Sequence, residues 1–211
     1  YLAALDDALD VALAGAYVLG ARIAGRWAGA AAVAVMALSP WWLFHTALGN
    51  SEGLLAAAVL WAVIAHLEGR TRAALACATA AALLRPEAWP FLALYGAWLW
   101  RRGEKAVLIP AVLVPLLWFG PDVVGAGGAL GASHTARGVP SPGSAKLESV
   151  PFLAVLGDTA TISTLPAVAG ALVAAWLGGP LARRIFAGAA AWVVLVAVMT
   201  TAGYAGNPRY L

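Results

Sequence analysis

Long apolar runs, separated by short clusters of arginine, are the feature that most limits what this sequence can fold into. Hydrophobic residues make up 63% of the chain and charged residues only 11%, whereas a soluble domain carries about 25% charged residues. Most of these runs must therefore face lipid or one another. The sequence predicts an all-α fold, a polytopic bundle of transmembrane helices with some short or broken members, which forms a single domain over residues 1–211.

Eight helices and one long external loop are predicted from the apolar runs and from the Gly, Pro and charged residues between them. Residues 120–164 are rich in Gly, Ser and Pro and form the loop, with one surface-lying helix around residues 150–156. A loop longer than ~15 residues is more often functional than a mere connector. The predicted helices cover residues 2–24, 27–48 (interrupted at Ser39-Pro40), 51–66, 72–84, 86–100, 106–119, 165–177 and 185–201.

Two short apolar runs meet at Arg85-Pro86-Glu87 in the middle of the chain. Neither run reaches the ~20 residues that span a hydrocarbon core ~30 Å thick. At ~1.5 Å per residue, Arg85 lies ~20 Å along its helix from Arg72, and Glu87 lies ~21 Å from Arg101. If both basic ends lie on one membrane face, the charged residues between the runs are about two-thirds of the way across. Charged groups at such depth tend to line a protein-walled, wet cavity.

The basic residues divide between the two predicted faces. Most fall on one face, which the positive-inside rule makes cytoplasmic: Arg22, Arg26, Arg70, Arg72, Arg101, Arg102, Lys105, Arg183 and Arg184. The opposite face receives the other basic residues together with several acids and a histidine: Arg85, Arg137, Lys146, Arg209, Glu52, Glu87, His134, Glu148 and Asp158. Glu52 lies ~21 Å from His66, the same depth as Arg85, so the two side chains could meet in one cavity. We therefore predict a site on the outer face.

Each candidate also has a structural interpretation. Glu52, and equally Pro86 with Glu87, are typical of helix starts, where a proline fits the first position and an acid the first turn. His134 and Arg137 lie in the predicted loop, where they either contact phosphate or sugar or are simply solvated. The forked N–H donors of an arginine guanidinium suit binding to phosphate. Other residues read as interfacial or packing groups: Arg209 and Tyr210 as an anchor, His45 as part of an aromatic cluster, and Cys77 inside an apolar run.

Several functions are excluded or left open by composition. The net charge of +3 is spread in small clusters, which is not the footprint of a nucleic-acid-binding protein. The spacing of His, Cys and carboxylate residues does not indicate a dedicated metal site, and the Gly-rich stretches lack phosphate-loop spacing. Because the chain begins without Met and stops within a motif, we interpret it as an internal piece of a longer protein.

Four short motifs follow one another along the chain: Ala37-Leu38-Ser39-Pro40, Asn50-Ser51-Glu52-Gly53-Leu54-Leu55, Leu84-Arg85-Pro86-Glu87 and Asn207-Pro208-Arg209-Tyr210-Leu211. In order and spacing they resemble the GT-C glycosyltransferases, the polyprenyl-phosphate-sugar-dependent membrane enzymes related to protein O-mannosyltransferases and to the bacterial aminoarabinose transferase. The resemblance covers essentially the whole chain. It implies an inverting hexosyl- or pentosyltransferase, mannosyl- or arabinosyl-like, at the extracytoplasmic face of a bacterial plasma membrane.

The resemblance also implies roles for particular residues. Glu52, Arg85, Glu87 and Arg209, with Tyr210, would line the cavity, and the loop with His134 and Arg137 would cover it. The catalytic Asp or Glu of the family lies in the first external loop, which we expect upstream of residue 1. The implied partners are the bilayer, a polyprenyl-phosphate-linked sugar as donor, and a glycan, lipid or protein acceptor. Some relatives use a divalent metal and others do not.

Two other functions remain open from the sequence. A transporter or lipid flippase also places charges at broken helices near the bilayer midplane, but it predicts pseudo-symmetric repeats, and Arg85-Pro86-Glu87 has no counterpart in the other half of the chain. A non-catalytic membrane subunit predicts that replacing Arg85 or Glu52 changes assembly and leaves lipid-linked sugar pools unaffected.

Overall fold

The computed structural model describes residues 2–48, 50–125, 143–163 and 165–204, and over these residues the chain is helical without strands, which confirms the all-α prediction. Three short 3₁₀ helices cover Pro86–Ala88, Lys105–Val107 and Ala145–Leu147. The α-helices are α1 (Leu2–Ala24), α2 (Arg26–Ala37), α3 (Pro40–Ala47), α4 (Glu52–Leu67), α5 (Thr71–Leu84), α6 (Trp89–Arg101), α7 (Leu108–Gly125), α8 (Pro151–Ile162), α9 (Leu165–Leu177) and α10 (Pro180–Thr201).

The helix bounds differ from the predicted ones in three places. The predicted helix 27–48 is divided into two separate helices at the interruption predicted for Ser39-Pro40, because Pro40 starts α3 and cannot continue α2. The predicted loop 120–164 is partly helical: α7 runs through Pro121 to Gly125, and the helix expected around 150–156 extends over all of α8. The predicted helix 185–201 begins earlier, at Pro180, because proline fits the first turn of a helix. Arg183 and Arg184 therefore lie inside α10 and not in the link before it.

Two helical segments of the described chain are long and apolar enough to cross a membrane. They are Lys105–Gly125, with 21 residues, and α10, with 22 residues. Helices α8 and α9 pass the same test together, but they are bent by 96° at their break, so they form either a broken third span or a re-entrant loop. Helices α2, α4 and α5 are apolar but shorter, with 12, 16 and 14 residues. Length and composition thus support two or three spans.

Helices α1 and α2 approach closely through small residues. Ala8, Ala12 and Ala16 are buried along one stripe of α1, at the i, i+4 spacing that lines one helix face. Where α2 crosses α1, a Cβ atom on Gly29 would lie 2.6 Å from the carbonyl oxygen of Tyr17. Only glycine permits this backbone approach, and such contacts are typical of helices packed in membranes.

We expect Gly29→Ala to destabilise the fold by about 1–3 kcal/mol, because the added methyl group collides with backbone that cannot rotate away. Gly96→Ala, in α6, is the matched control, since a Cβ atom there meets nothing within 4 Å. It should stabilise by up to ~1 kcal/mol through helix propensity. Thermal unfolding of both variants in the same detergent measures the difference. Equal stabilities would mean that α1 and α2 are not in contact at Gly29.

One end of the molecule collects basic residues with exposed acidic partners. Arg22, at the end of α1, forms an ion pair with Glu68, which also lies 3.4 Å from Arg70, just before α5. The hydrogen bond from Arg22 holds the pKa of the Glu68 carboxyl below its usual range. Arg72, in the first turn of α5, lies 3.9 Å from Glu104, which follows α6. We call this the basic end; these contacts bring together residues that the sequence assigned to one face.

Candidate functional site

The break between α5 and α6 is produced by a proline. Arg85 is extended, with φ −144° and ψ 125°, because a residue before proline is disfavoured in the helical region. Pro86 then starts the 3₁₀ helix that leads into α6. Since Arg72 and Glu104 lie together at the basic end, α5 and α6 form a hairpin whose turn is at the opposite end. We call this turn, residues 85–88, the corner.

A carbonyl group released by the break is bonded by two tryptophans. Pro86 has no N–H, so the carbonyl oxygen of Ala82, four residues earlier, loses its helical donor. The indole Nε1 of Trp89 donates to this oxygen at 2.9 Å, and that of Trp118, in α7, donates at 3.2 Å. The two rings meet edge to face with centroids 5.7 Å apart. The polar group exposed by the kink thus becomes the point at which α5, α6 and α7 are joined.

A buried ion pair connects the corner to the start of α4. Arg85 Nη2 donates to Glu52 Oε1 at 2.6 Å, and the two side chains are only 10% and 11% exposed. Glu52 is the first residue of α4 and comes 33 residues before its partner in the chain. The equal depths expected of Glu52 and Arg85 from their positions along the helices therefore correspond to direct contact. The helix-start interpretation of Glu52 holds as well, but it does not account for this contact.

Two buried carboxylate oxygens near the helix break have no hydrogen-bond partner among the described residues. Glu87 is 6% exposed, and its Oε2 atom has no hydrogen-bond partner among the described residues. The same is true of Glu52 Oε2, which is not used by Arg85 Nη2. Most buried polar side-chain atoms in proteins have a partner, and a carboxylate oxygen without one is costly. Glu87 at the corner, and Glu52, which contacts the corner through Arg85, therefore present two buried acceptor atoms that an incoming donor group could satisfy.

His45, which the sequence interpreted as interfacial packing, has a second feature. Its ring packs against Trp41, with centroids 4.3 Å apart, as that interpretation predicts. Its Nδ1 atom also lies 2.9 Å from the side-chain nitrogen of Asn50, two residues before Glu52. Its Nε2 atom is buried without a partner among the described residues. The contact of His45 with Asn50 joins α3 to the link that leads into Glu52. In the sequence it is indicated only by the two polar residues standing five positions apart.

The corner is also packed against the last described helix. Trp192, in α10, contacts a buried cluster at the corner that contains Ala82, Ala88 and Val114. The same ring contacts a second cluster of residues from the 3₁₀ helix after residue 143, from α8 and from α10: Ala145, Val155, Val196 and Ala197. It lies 5.8 Å from the ring of Phe91, in α6. Trp192 therefore connects the corner with the C-terminal part of the described chain.

Other predicted site residues are not located by the structure. His134, Arg137, Arg209 and Tyr210 lie outside the described residues, so their roles stay predictions. Within the described ranges, His, Cys, Asp and Glu side chains do not form a group of three or more that could hold a metal ion. Three of the seven predicted binding residues, Glu52, Arg85 and Glu87, are thus brought to one place.

The identity of the chain does not follow from comparison with known proteins. No family model, curated protein or solved structure matches it. The corner and the start of α4 offer the buried guanidinium of Arg85 with the matching carboxylate of Glu52, and the second buried carboxylate of Glu87. One oxygen of each carboxylate has no hydrogen-bond partner among the described residues. Such a group can orient and hold a ligand rich in hydrogen-bond donors.

Proposed function

We propose that this chain is part of a polytopic membrane glycosyltransferase, which moves a sugar from a polyprenyl-phosphate donor to an acceptor hydroxyl on the outer face of the plasma membrane. The buried Glu52–Arg85 ion pair at the helix break is the observation that carries the proposal. A buried ion pair is rarely the most stable choice for a helix interface, and ionisable groups within a membrane domain usually mark a functional site. The order of the four GT-C-like motifs supports the same function.

Transfer from such a donor has two chemical requirements. Negative charge develops on the phosphate oxygens as the sugar leaves, so cations must stabilise it; the basic residues predicted for the outer face are Arg85, Arg137, Lys146 and Arg209. The acceptor hydroxyl must lose its proton to a base. The GT-C resemblance gives this role to an Asp or Glu of the family's first external loop, and we assign it to none of Glu52, Arg85 and Glu87. His134 and Tyr210 would contact the donor or the acceptor.

The proposed function is tested by turnover of a radiolabelled polyprenyl-phosphate sugar by the reconstituted full-length protein. The variant is the double replacement Glu52→Gln with Arg85→Gln, which removes both charges of the ion pair together. We expect sugar transfer to fall at least ~10²-fold, the usual effect of removing a group that stabilises a transition state. Glu104→Gln, at the basic end, is the matched control and should transfer at the wild-type rate.

Two results would reject the proposal. One is the absence of wild-type turnover across a panel of hexose and pentose donors, after which transport of the same lipids would be assayed. The other is a double variant that is folded and as active as wild type, since the corner would then take no part in transfer.

A further inference from the structure

We infer that the corner binds the sugar of the donor, through hydroxyl groups that donate to Glu52 and Glu87, and that the donor phosphate is held by other residues. This inference rests on the proposed function and assigns the sugar and the phosphate of the donor to different residues of the site. It changes the role of Arg85, which becomes a positioning residue for Glu52 and not a ligand of the phosphate.

The carboxylate oxygens without hydrogen-bond partners determine which ligand groups can bind at this place. Glu52 Oε2 and Glu87 Oε2 are both buried and without hydrogen-bond partners among the described residues. An ionised carboxylate is an acceptor only, so each atom needs an incoming donor. The phosphate that links a lipid to a sugar has acceptor oxygens and no donor at neutral pH. Sugar hydroxyl groups can donate as well as accept.

Charge leads to the same assignment. The guanidinium of Arg85 lies 2.6 Å from a Glu52 oxygen, so its charge is already matched by that carboxylate. Glu87 is the second carboxylate at the corner and is 6% exposed. The charges of Arg85 and Glu52 cancel, so the three side chains have a net charge of zero with Glu87 protonated and −1 with Glu87 ionised. In neither case is a positive charge left to match a phosphate, whereas a neutral sugar needs none.

Glu52 is held in place for this role. Its Oε1 atom accepts from Arg85, which leaves Oε2 available, and its backbone is fixed in the first turn of α4. Glu87 is fixed in the 3₁₀ turn that follows Pro86. Both carboxylates therefore belong to helix starts, so the cost of ordering them is met by folding. Preorganised acceptors of this kind favour a specific arrangement of hydroxyls over a flexible polar ligand.

The test compares a ligand that carries the sugar with one that lacks it. Because the second ligand is a phosphate monoester with more negative charge, the affinity of each variant is compared with that of the wild type for the same ligand. The full-length protein in lipid nanodiscs is titrated with a polyprenyl-phosphate sugar and with the same polyprenyl monophosphate lacking the sugar. For Glu87→Gln, which keeps the size of the side chain, we expect the affinity for the sugar-bearing lipid to fall about tenfold or more, the effect of losing a hydrogen bond to a charged acceptor. The affinity for polyprenyl monophosphate should change less than about twofold. Glu104→Gln is the control for both ligands.

Other outcomes overturn the inference. Equal loss for both ligands would assign Glu87 to the phosphate or to the fold, and unchanged affinity for both would remove it from the site. Glu87→Asp, which keeps the charge on a shorter side chain, answers the same question if Glu87→Gln does not fold. Binding of neither lipid by the wild-type protein would reject this inference together with the proposed function. If the wild-type protein binds both lipids but transfers no sugar, the proposed function alone is rejected. The loss of affinity that Glu87→Gln causes for each lipid would still show whether Glu87 contacts the sugar.

Discussion

Glu52→Gln alone is expected to destabilise the fold by about 3–5 kcal/mol, because it removes one partner of a buried ion pair. The double replacement Glu52→Gln with Arg85→Gln should recover most of this loss, since it removes both charges from the apolar surroundings. Denaturant unfolding of the wild type, both single variants and the double variant gives the coupling free energy of the pair through a double-mutant cycle.

The exposed pair at the basic end is the control for this cycle. Arg72 and Glu104 are 3.9 Å apart, with side chains 84% and 37% exposed. Exposed ion pairs contribute about 0–1 kcal/mol, so Arg72→Gln and Glu104→Gln should have small effects on unfolding. If Glu52→Gln proved as harmless as Glu104→Gln, the Glu52–Arg85 pair would not be buried in the folded protein.

Removing both tryptophans that bond the Ala82 carbonyl should destabilise the fold by more than the sum of the single replacements. Trp89→Phe or Trp118→Phe alone should cost about 1 kcal/mol, because the remaining indole still donates to the oxygen. In the double variant the carbonyl has no donor in apolar surroundings, which adds about 1–3 kcal/mol. Denaturant unfolding of the four proteins measures the excess.

One further variant shows how much of the loss comes from replacing an indole. Trp100→Phe, near the basic end, reports the general cost of replacing a half-exposed indole. If the loss of unfolding free energy in the double variant equals the sum of the two single losses, the two indoles do not substitute for each other as donors to the Ala82 carbonyl.

Much of the fold and one contact of the site could be predicted from the sequence, because both depend on distances along a helix. Apolar runs between arginines gave the helical class, and counting residues from the basic ends placed Glu52 and Arg85 at one depth. The extension of α7 through Pro121 could not be predicted, since Gly and Pro usually end a helix in water, whereas neighbouring helices tolerate them in apolar surroundings.

The two tryptophan hydrogen bonds and the role of Trp192 were also beyond sequence reasoning. That Pro86 releases the carbonyl of Ala82 follows from local geometry. The identity of the donors does not, because Trp118 comes 36 residues later, and a chain with ten tryptophans offers many candidates. Trp192 likewise looks like one apolar residue among many until α10 is packed against the corner.

The α5–α6 hairpin has a consequence for how the proposed membrane protein is made. With 14 and 13 residues, these helices are ~21 and ~20 Å long, so neither would be inserted alone as a span. In the proposed membrane protein they would enter the bilayer together as a hairpin, with the corner leading and the charge of Arg85 carried inward. Because α4 is synthesised first, Glu52 would already be present to receive that charge. The order of helices along the chain would thus provide the counterion before the arginine enters the bilayer.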